Sequence, residues 1–205
     1  MTSIAPLEAV VFDLGNVFVE WSRERLYETL ISDAERRRDF LDSVLTVDVN
    51  LRLDRGERFD DVLAEVAAAH PSCADLVAAF KTNWTDSLGD VNCDMVSLLD
   101  DLRGQVPVYA LTNWSGETFP IARARFGWLD WFDGHVVSGE EGTVKPEPEI
   151  YRTVSDRFGH APDGLWFTDD SQVNVDAARV CGWRAELFEG AASVRRQLMA
   201  LGLRM

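Results

Sequence analysis

The chain has 205 residues, 46% hydrophobic and 27% charged, an ordinary balance for one substantial core with room for a small appended unit. Its 35 acidic and 20 basic residues leave a formal charge of -15, which repels phosphate backbones and argues against a nucleic-acid groove. For the same reason, a site for a phosphate ester needs local cations or a bound metal.

Ala9-Val10-Val11-Phe12 is a short apolar run that stops at Asp13-Leu14-Gly15-Asn16, the pattern of a buried strand feeding a turn. Residues 21–30, 34–45, 58–69 and 75–84 carry apolar side chains at helical spacing; Phe59, Val62, Leu63 and Val66 are one such set. No strand is evident in this stretch, which predicts an all-helical insert over 17–86. A helix is then expected over 95–102, a buried strand over 106–111 ending at Thr112-Asn113, and a helix over 116–126. A strand over 134–138, a helix over 148–158, a strand over 165–168 ending at Asp169-Asp170, and a helix over 174–181 follow. Strand 183–188 and helix 191–203 close the chain. Alternating strands and helices predict a Rossmann-like α/β fold: a three-layer parallel-sheet core built from 1–16 plus 87–205.

No apolar run approaches the roughly 20 residues of a membrane span, and residues 1–8 lack the basic and apolar parts of a signal peptide. Cys73, Cys93 and Cys181 are too few and too widely spaced for a disulfide framework or a zinc site. A cytoplasmic protein with small buried thiols and no membrane partner is expected.

Ligands of open parallel sheets bind beyond the carboxyl ends of the strands. Asp13, Thr112, Asn113, Asp169 and Asp170 all stand at such ends, and Lys145 follows the third core strand on the loop Gly139-Glu140-Glu141-Gly142-Thr143-Val144-Lys145-Pro146. Polar strand ends are common, but three aspartates and a lysine in one crevice need a counter-ion. Mg²⁺ takes oxygen ligands from a few carboxylates, waters and a substrate phosphate. Asp13 and Asp170 are expected to bind it, with Asp169 direct or one layer behind. Lys145 is expected to keep Asp13 ionised. The Thr112 hydroxyl and backbone N–H groups at the next helix start are expected to hold phosphate oxygens. An aspartate can attack phosphorus and split hydrolysis into two steps through an aspartyl-phosphate.

These motifs resemble those of the haloacid dehalogenase superfamily. Val10-Val11-Phe12-Asp13-Leu14-Gly15-Asn16-Val17 is similar to its first motif, Ala110-Leu111-Thr112-Asn113 to its second, the Lys145 segment to its third, and Phe167-Thr168-Asp169-Asp170 to its fourth. Bacterial members such as the α-D-glucose-1-phosphate phosphatase group also read Phe-Asp-Leu-Gly-Asn-Val. The resemblance implies that Asp13 is the nucleophile and that Lys145 serves it. It implies Thr112, Asn113 and Asn16 as substrate-binding residues. Mg²⁺ would be held by Asp13, the Gly15 carbonyl, Asp170 and Asp169, and 17–86 would be a helical cap over a site for a small phosphate ester. Family phosphatases place a second aspartate, the acid–base, two residues after the nucleophile; here that position is Gly15. A cap acid could replace it (Glu20, Glu24, Asp54 or Glu57), the substrate could have a good leaving group, or the chain could be a slow hydrolase or none. A metal-independent 2-haloacid dehalogenase and a non-catalytic phospholigand-binding descendant are the alternatives; the Asp169-Asp170 pair favours a metal and hence phosphate.

His70, His135 and His160 form no metal spacing. Trp21 and Trp114 lie close after the first and second motifs, where they either line a pocket mouth or pack cap on core. Arg52, Arg55 and Arg58 are candidates for a substrate anion, with surface ion pairs as the alternative. Arg36-Arg37-Arg38 is expected to be a solvated face.

Overall fold

The five core strands follow from short apolar runs that a parallel sheet buries on both faces. The computed structural model describes residues 6–204; the expectations for residues 1–5 lie outside them. The strands are β1 (Ala9–Phe12), β4 (Val108–Thr112), β5 (Gly134–Val137), β6 (Leu165–Asp169) and β7 (Arg184–Leu187), all parallel, in the order β5-β4-β1-β6-β7. Val10 and Phe12 point to one face, where α6 (Cys93–Leu102) and α11 (Ala191–Ala200) cover them. Ala9 and Val11 point to the other, covered by α9 (Pro148–Phe158) and α10 (Gln172–Val180). This is the expected three-layer α/β core. The chain builds outward from β1 to β4 and β5, then returns past β1 to β6, so a crevice opens at the carboxyl end of β1.

Between β1 and β4 the chain leaves the sheet. α1 (Arg23–Glu28), α2 (Ala34–Ser43), α3 (Val47–Asp54), α4 (Phe59–Ala69) and α5 (Ala74–Thr82) follow in succession. Ser22, Asp33 and Thr46 cap the first three by accepting hydrogen bonds from backbone N–H groups three residues on. Tyr27 packs on Phe40 with ring centroids 4.9 Å apart, and Phe59 on Phe80 at 5.9 Å. These side chains share one continuous apolar cluster with Phe12, Leu98 and Trp114 of the core. No single helix among the described residues is long and apolar enough to cross a membrane.

The segment is not wholly helical. β2 (Val19–Trp21) pairs antiparallel with β3 (Leu88–Val91), so the entry and exit of the helical segment are joined by a two-stranded ribbon. Val-Glu-Trp is too short to show an alternating period, and Trp21 ends this strand instead of starting a helix. The remaining two helices, α7 (Phe119–Arg125) and α8 (Ser138–Glu141), flank β5. The cysteines are free, as expected, but not buried: Cys93 is exposed and the other two are half-buried.

Candidate active site

Asp13 leaves the end of β1 with its N–H bonded to the Thr168 carbonyl of β6 at 3.1 Å, which aims the side chain into the crevice. The Lys145 ammonium sits between two carboxylates, 2.7 Å from Asp13 Oδ1 and 2.6 Å from Asp169 Oδ2. Lys145, Asp13 and Asp169 are all buried. Such a pair is stable only if its remaining polar atoms are satisfied. Asp169 meets this fully, because its other oxygen accepts from the Ser171 N–H at 2.8 Å and the Asn174 amide at 2.9 Å. Lys145 is also 5.7 Å from the centre of the Phe167 ring, within cation–π range.

Asn113 and Asn16, expected to touch substrate, both bond to neighbouring residues at the crevice. Asn113 donates to the Lys145 carbonyl at 2.9 Å and accepts from the Lys145 N–H at 2.8 Å, clamping the lysine loop to the end of β4. Asn16 has φ 55°, a left-handed conformation that asparagine tolerates. Its amide donates to Asp170 Oδ2 at 3.1 Å and its carbonyl accepts from the Trp21 N–H at 3.1 Å. Thr112 closes β4, buried at the crevice. The helix start expected beside it is displaced: α7 begins only at Phe119, and the Trp114 N–H is bonded to Ser138 Oγ at 2.9 Å.

Burial pushes the Asp13 carboxyl up to about 7; Lys145 pulls it down, and Asp169 and Asp170 push it up again. Lys145 acts on Asp13 in the expected direction, favouring its ionised form against burial and the two neighbouring aspartates. Lys145 is held above the usual lysine range: burial works against its charge, but Asp13 and Asp169 outweigh it. Asp170 is also raised, first by desolvation of its carboxyl, partly offset by the Asn16 amide. One oxygen from each of Asp13, Asp169 and Asp170 lies within 4.8 Å of the other two. Three carboxylate oxygens crowded this closely fit a hard divalent cation. Asp13 and Asp170 are the better direct ligands, since Asp169 already holds three donors.

Beside this cluster is a cavity of about 70 Å³, several times the space one water needs. Gly15, Asn113, Ser115 and Thr118 form its core side, and Asn50, Leu53, Asp54 and Phe59 reach it from α3 and α4. Trp21, Trp84 and Trp114 complete the wall, so Trp21 and Trp114 both line the pocket and pack. Asn50, Trp84, Ser115 and Thr118 carry no sequence signal that separates them from other polar or aromatic residues. Arg52, Arg55 and Arg58 all pair with carboxylates, respectively Glu57 and Glu65, Glu147, and Asp61.

Residues 7–182 match the haloacid dehalogenase-like hydrolases, and the chain belongs to that family. It is 22% identical to a D-ribitol-5-phosphate phosphatase from Bacteroides thetaiotaomicron, over 95% of this chain and 98% of that protein. It is 27% identical over 196 residues to a drimenol cyclase from Aspergillus calidoustus, but spans only 36% of that protein's length. Among solved structures, a HAD family enzyme from B. thetaiotaomicron in complex with magnesium and inorganic phosphate aligns with TM-score 0.74 at 23% identity, covering 90% of this chain and 95% of that one. An L-2-haloacid dehalogenase from Xanthobacter autotrophicus shares the fold at TM-score 0.60 and 17% identity, over 97% of this chain and 85% of that one.

Proposed function

We propose that this hydrolase is a Mg²⁺-dependent phosphatase of a small phosphorylated metabolite. The observation that carries the reading is the close approach of three carboxylate oxygens around Asp13, beside a buried lysine. The D-ribitol-5-phosphate phosphatase supports it by likeness; by its name that enzyme acts on a polyol phosphate rather than a sugar 1-phosphate. Residues 17–86 then serve as a cap on a core of 1–16 and 87–205, in a cytoplasmic protein.

In this mechanism an Asp13 oxygen attacks phosphorus and the bond to the leaving oxygen breaks, giving an aspartyl-phosphate. Water then attacks phosphorus and restores the Asp13 carboxylate. Thr112 binds a phosphoryl oxygen, and Lys145 offsets charge gathering beside Asp13. Asp13, Asp170 and the Gly15 carbonyl would hold Mg²⁺, with Asp169 behind them, and the bound ion would neutralise phosphoryl charge. Asn16 orients Asp170, and Asn113 fixes the loop that carries Lys145.

Release of phosphate from p-nitrophenyl phosphate and a panel of sugar and polyol phosphates tests the reading. Activity with Mg²⁺, lost in EDTA and in Asp13→Asn, is expected. A folded protein inert across the panel contradicts it. Gly15 favours a second reading, a metal-independent dehalogenase, because that chemistry does without a second carboxylate at this position; halide release from a 2-haloacid in EDTA would establish it.

A further inference from the structure

Gly15 removes a side chain but leaves its place open. A Cβ built on it meets nothing within 4 Å, and its φ is not positive, so the backbone itself would accept a larger residue. The open space belongs to the cavity that α3 reaches with Asn50, Leu53 and Asp54.

Of the four helical-segment acids that could replace the missing carboxyl, only Asp54 lines this cavity. Glu57 is tied to Arg52 at 2.6 Å and Glu24 to Arg37 at 3.3 Å. Glu20 lies over Gly89, away from the cavity. Asp54 is half-buried, and among the described residues no cation forms an ion pair with it. Its Oδ2 accepts from the Asn50 amide at 2.8 Å. Its backbone carbonyl accepts from Ser138 Oγ at 2.6 Å, and the adjacent Arg55 pairs with Glu147. The end of α3 is thus fastened to the core from both sides of Asp54, as a group that must act at a fixed place requires.

We propose that Asp54 is the acid–base of the reaction, replacing from the helical segment the carboxyl absent at Gly15. The proposal rests on the phosphatase reading above. As Asp13 attacks phosphorus and the bond to the leaving oxygen breaks, that oxygen takes the Asp54 proton and departs as an alcohol. The Asp54 carboxylate then removes a proton from the water that attacks the aspartyl-phosphate. The bond between phosphorus and Asp13 breaks, inorganic phosphate leaves, and both side chains return to their starting states. Burial pushes the Asp54 carboxyl up to about 7, with Lys145 pulling the other way, so both protonation states are populated near neutral pH.

The test compares Asp54→Asn with wild type on an alkyl phosphate, whose leaving oxygen needs a proton, and on p-nitrophenyl phosphate, whose leaving group does not. In single turnover, release of the alcohol from the alkyl phosphate is expected to slow about 10²–10⁴-fold, the usual worth of acid–base help, and release of p-nitrophenol less than about tenfold. Steady-state phosphate release falls on both, because hydrolysis of the aspartyl-phosphate is common to them. Adding Gly15→Asp to Asp54→Asn is expected to restore part of the alkyl activity. Equal single-turnover losses in release of the two leaving groups, or a rise in KM alone, in a protein whose wild type is active overturns the role of Asp54 and leaves the phosphatase reading standing. A wild type inert on both esters overturns that reading and this one with it.

Discussion

The Asn113 side chain holds both backbone polar groups of Lys145, donating to its carbonyl at 2.9 Å and accepting from its N–H at 2.8 Å. The position of the buried ammonium is therefore set from β4, a strand away from the loop that carries it. Asn113→Ala removes two hydrogen bonds, each worth about 0.5–1.5 kcal/mol net. A loss of roughly 1–3 kcal/mol in urea unfolding is expected on that basis. Phosphate release is expected to fall about 10–100-fold, mostly in kcat, as a small misplacement of a catalytic group does. A rise in KM with kcat unchanged would return Asn113 to direct substrate binding.

Stability is expected to depend on pH in a direction opposite to ordinary acid denaturation. Asp13 and Asp54 both have folded-state values of about 7, well above the ordinary 3.8. Protonation therefore favours the folded protein: the contribution is fully present below about 3.8 and is lost as pH rises through about 7. Glu57 and Glu147, each lowered, act only near and below their ordinary 4.5, and His135, lowered chiefly by burial, opposes the two aspartates around its ordinary 6.5 as a single group against two. In EDTA the melting temperature is expected to fall between about pH 5 and pH 8. Mg²⁺ is expected to raise it more at pH 8 than at pH 5, because ligand carboxylates must lose their protons to bind. A metal-free melting temperature that climbs across this range would contradict the cluster's electrostatics.

The helical segment meets the core through two glycine backbones. A Cβ at Gly56, where φ is +93°, would stand 2.5 Å from the Gly139 carbonyl oxygen. Backbone cannot swing aside as a side chain does, so Gly56→Ala combines overpacking, typically about 1–3 kcal/mol, with left-handed strain. It also moves Asp54, two residues earlier. Reduced thermal stability is expected, with a larger single-turnover loss in release of the alcohol from an alkyl phosphate than of p-nitrophenol from the aryl ester. Gly104→Ala is a control for strain alone, since its φ is +76° and nothing lies within 4 Å.

Much of the core is legible in the sequence because its strands are short apolar runs that end abruptly in polar residues. Leu165–Asp169 and Ala9–Phe12 both read in this way, and their ends bring Asp13 and Asp169 together. Val106 and Pro107 look like part of the next strand, but β4 starts at Val108; Pro107 has no N–H, and its carbonyl instead accepts from the Val10 N–H at 3.0 Å. The helix that carries Asp54 is harder to see. Val47, Val49, Leu51 and Leu53 alternate with polar residues, a strand-like period, yet the Thr46 cap and the burial of Leu53 make it α3, with Val47 left 68% exposed. Asp54 is one acid among four until long-range contacts, Ser138 to its carbonyl and Arg55 to Glu147, set it against Gly15. The β2–β3 ribbon escapes for a related reason, as two strands of three and four residues, 19–21 and 88–91, pair across the whole helical segment. The roles of Asn16 and Asn113 depend on which partner each amide meets, which no spacing encodes.

The most direct test asks whether Asp13 carries the phosphoryl group. Borohydride reduces an acyl phosphate to an alcohol, so quenching a working reaction with it converts a phosphorylated aspartate to homoserine, readable by peptide mass. Homoserine at position 13 is expected with Mg²⁺ and substrate, and none in Asp13→Asn. Sustained phosphate release with no homoserine at position 13, or with the mark on another carboxylate, would contradict Asp13 as the nucleophile.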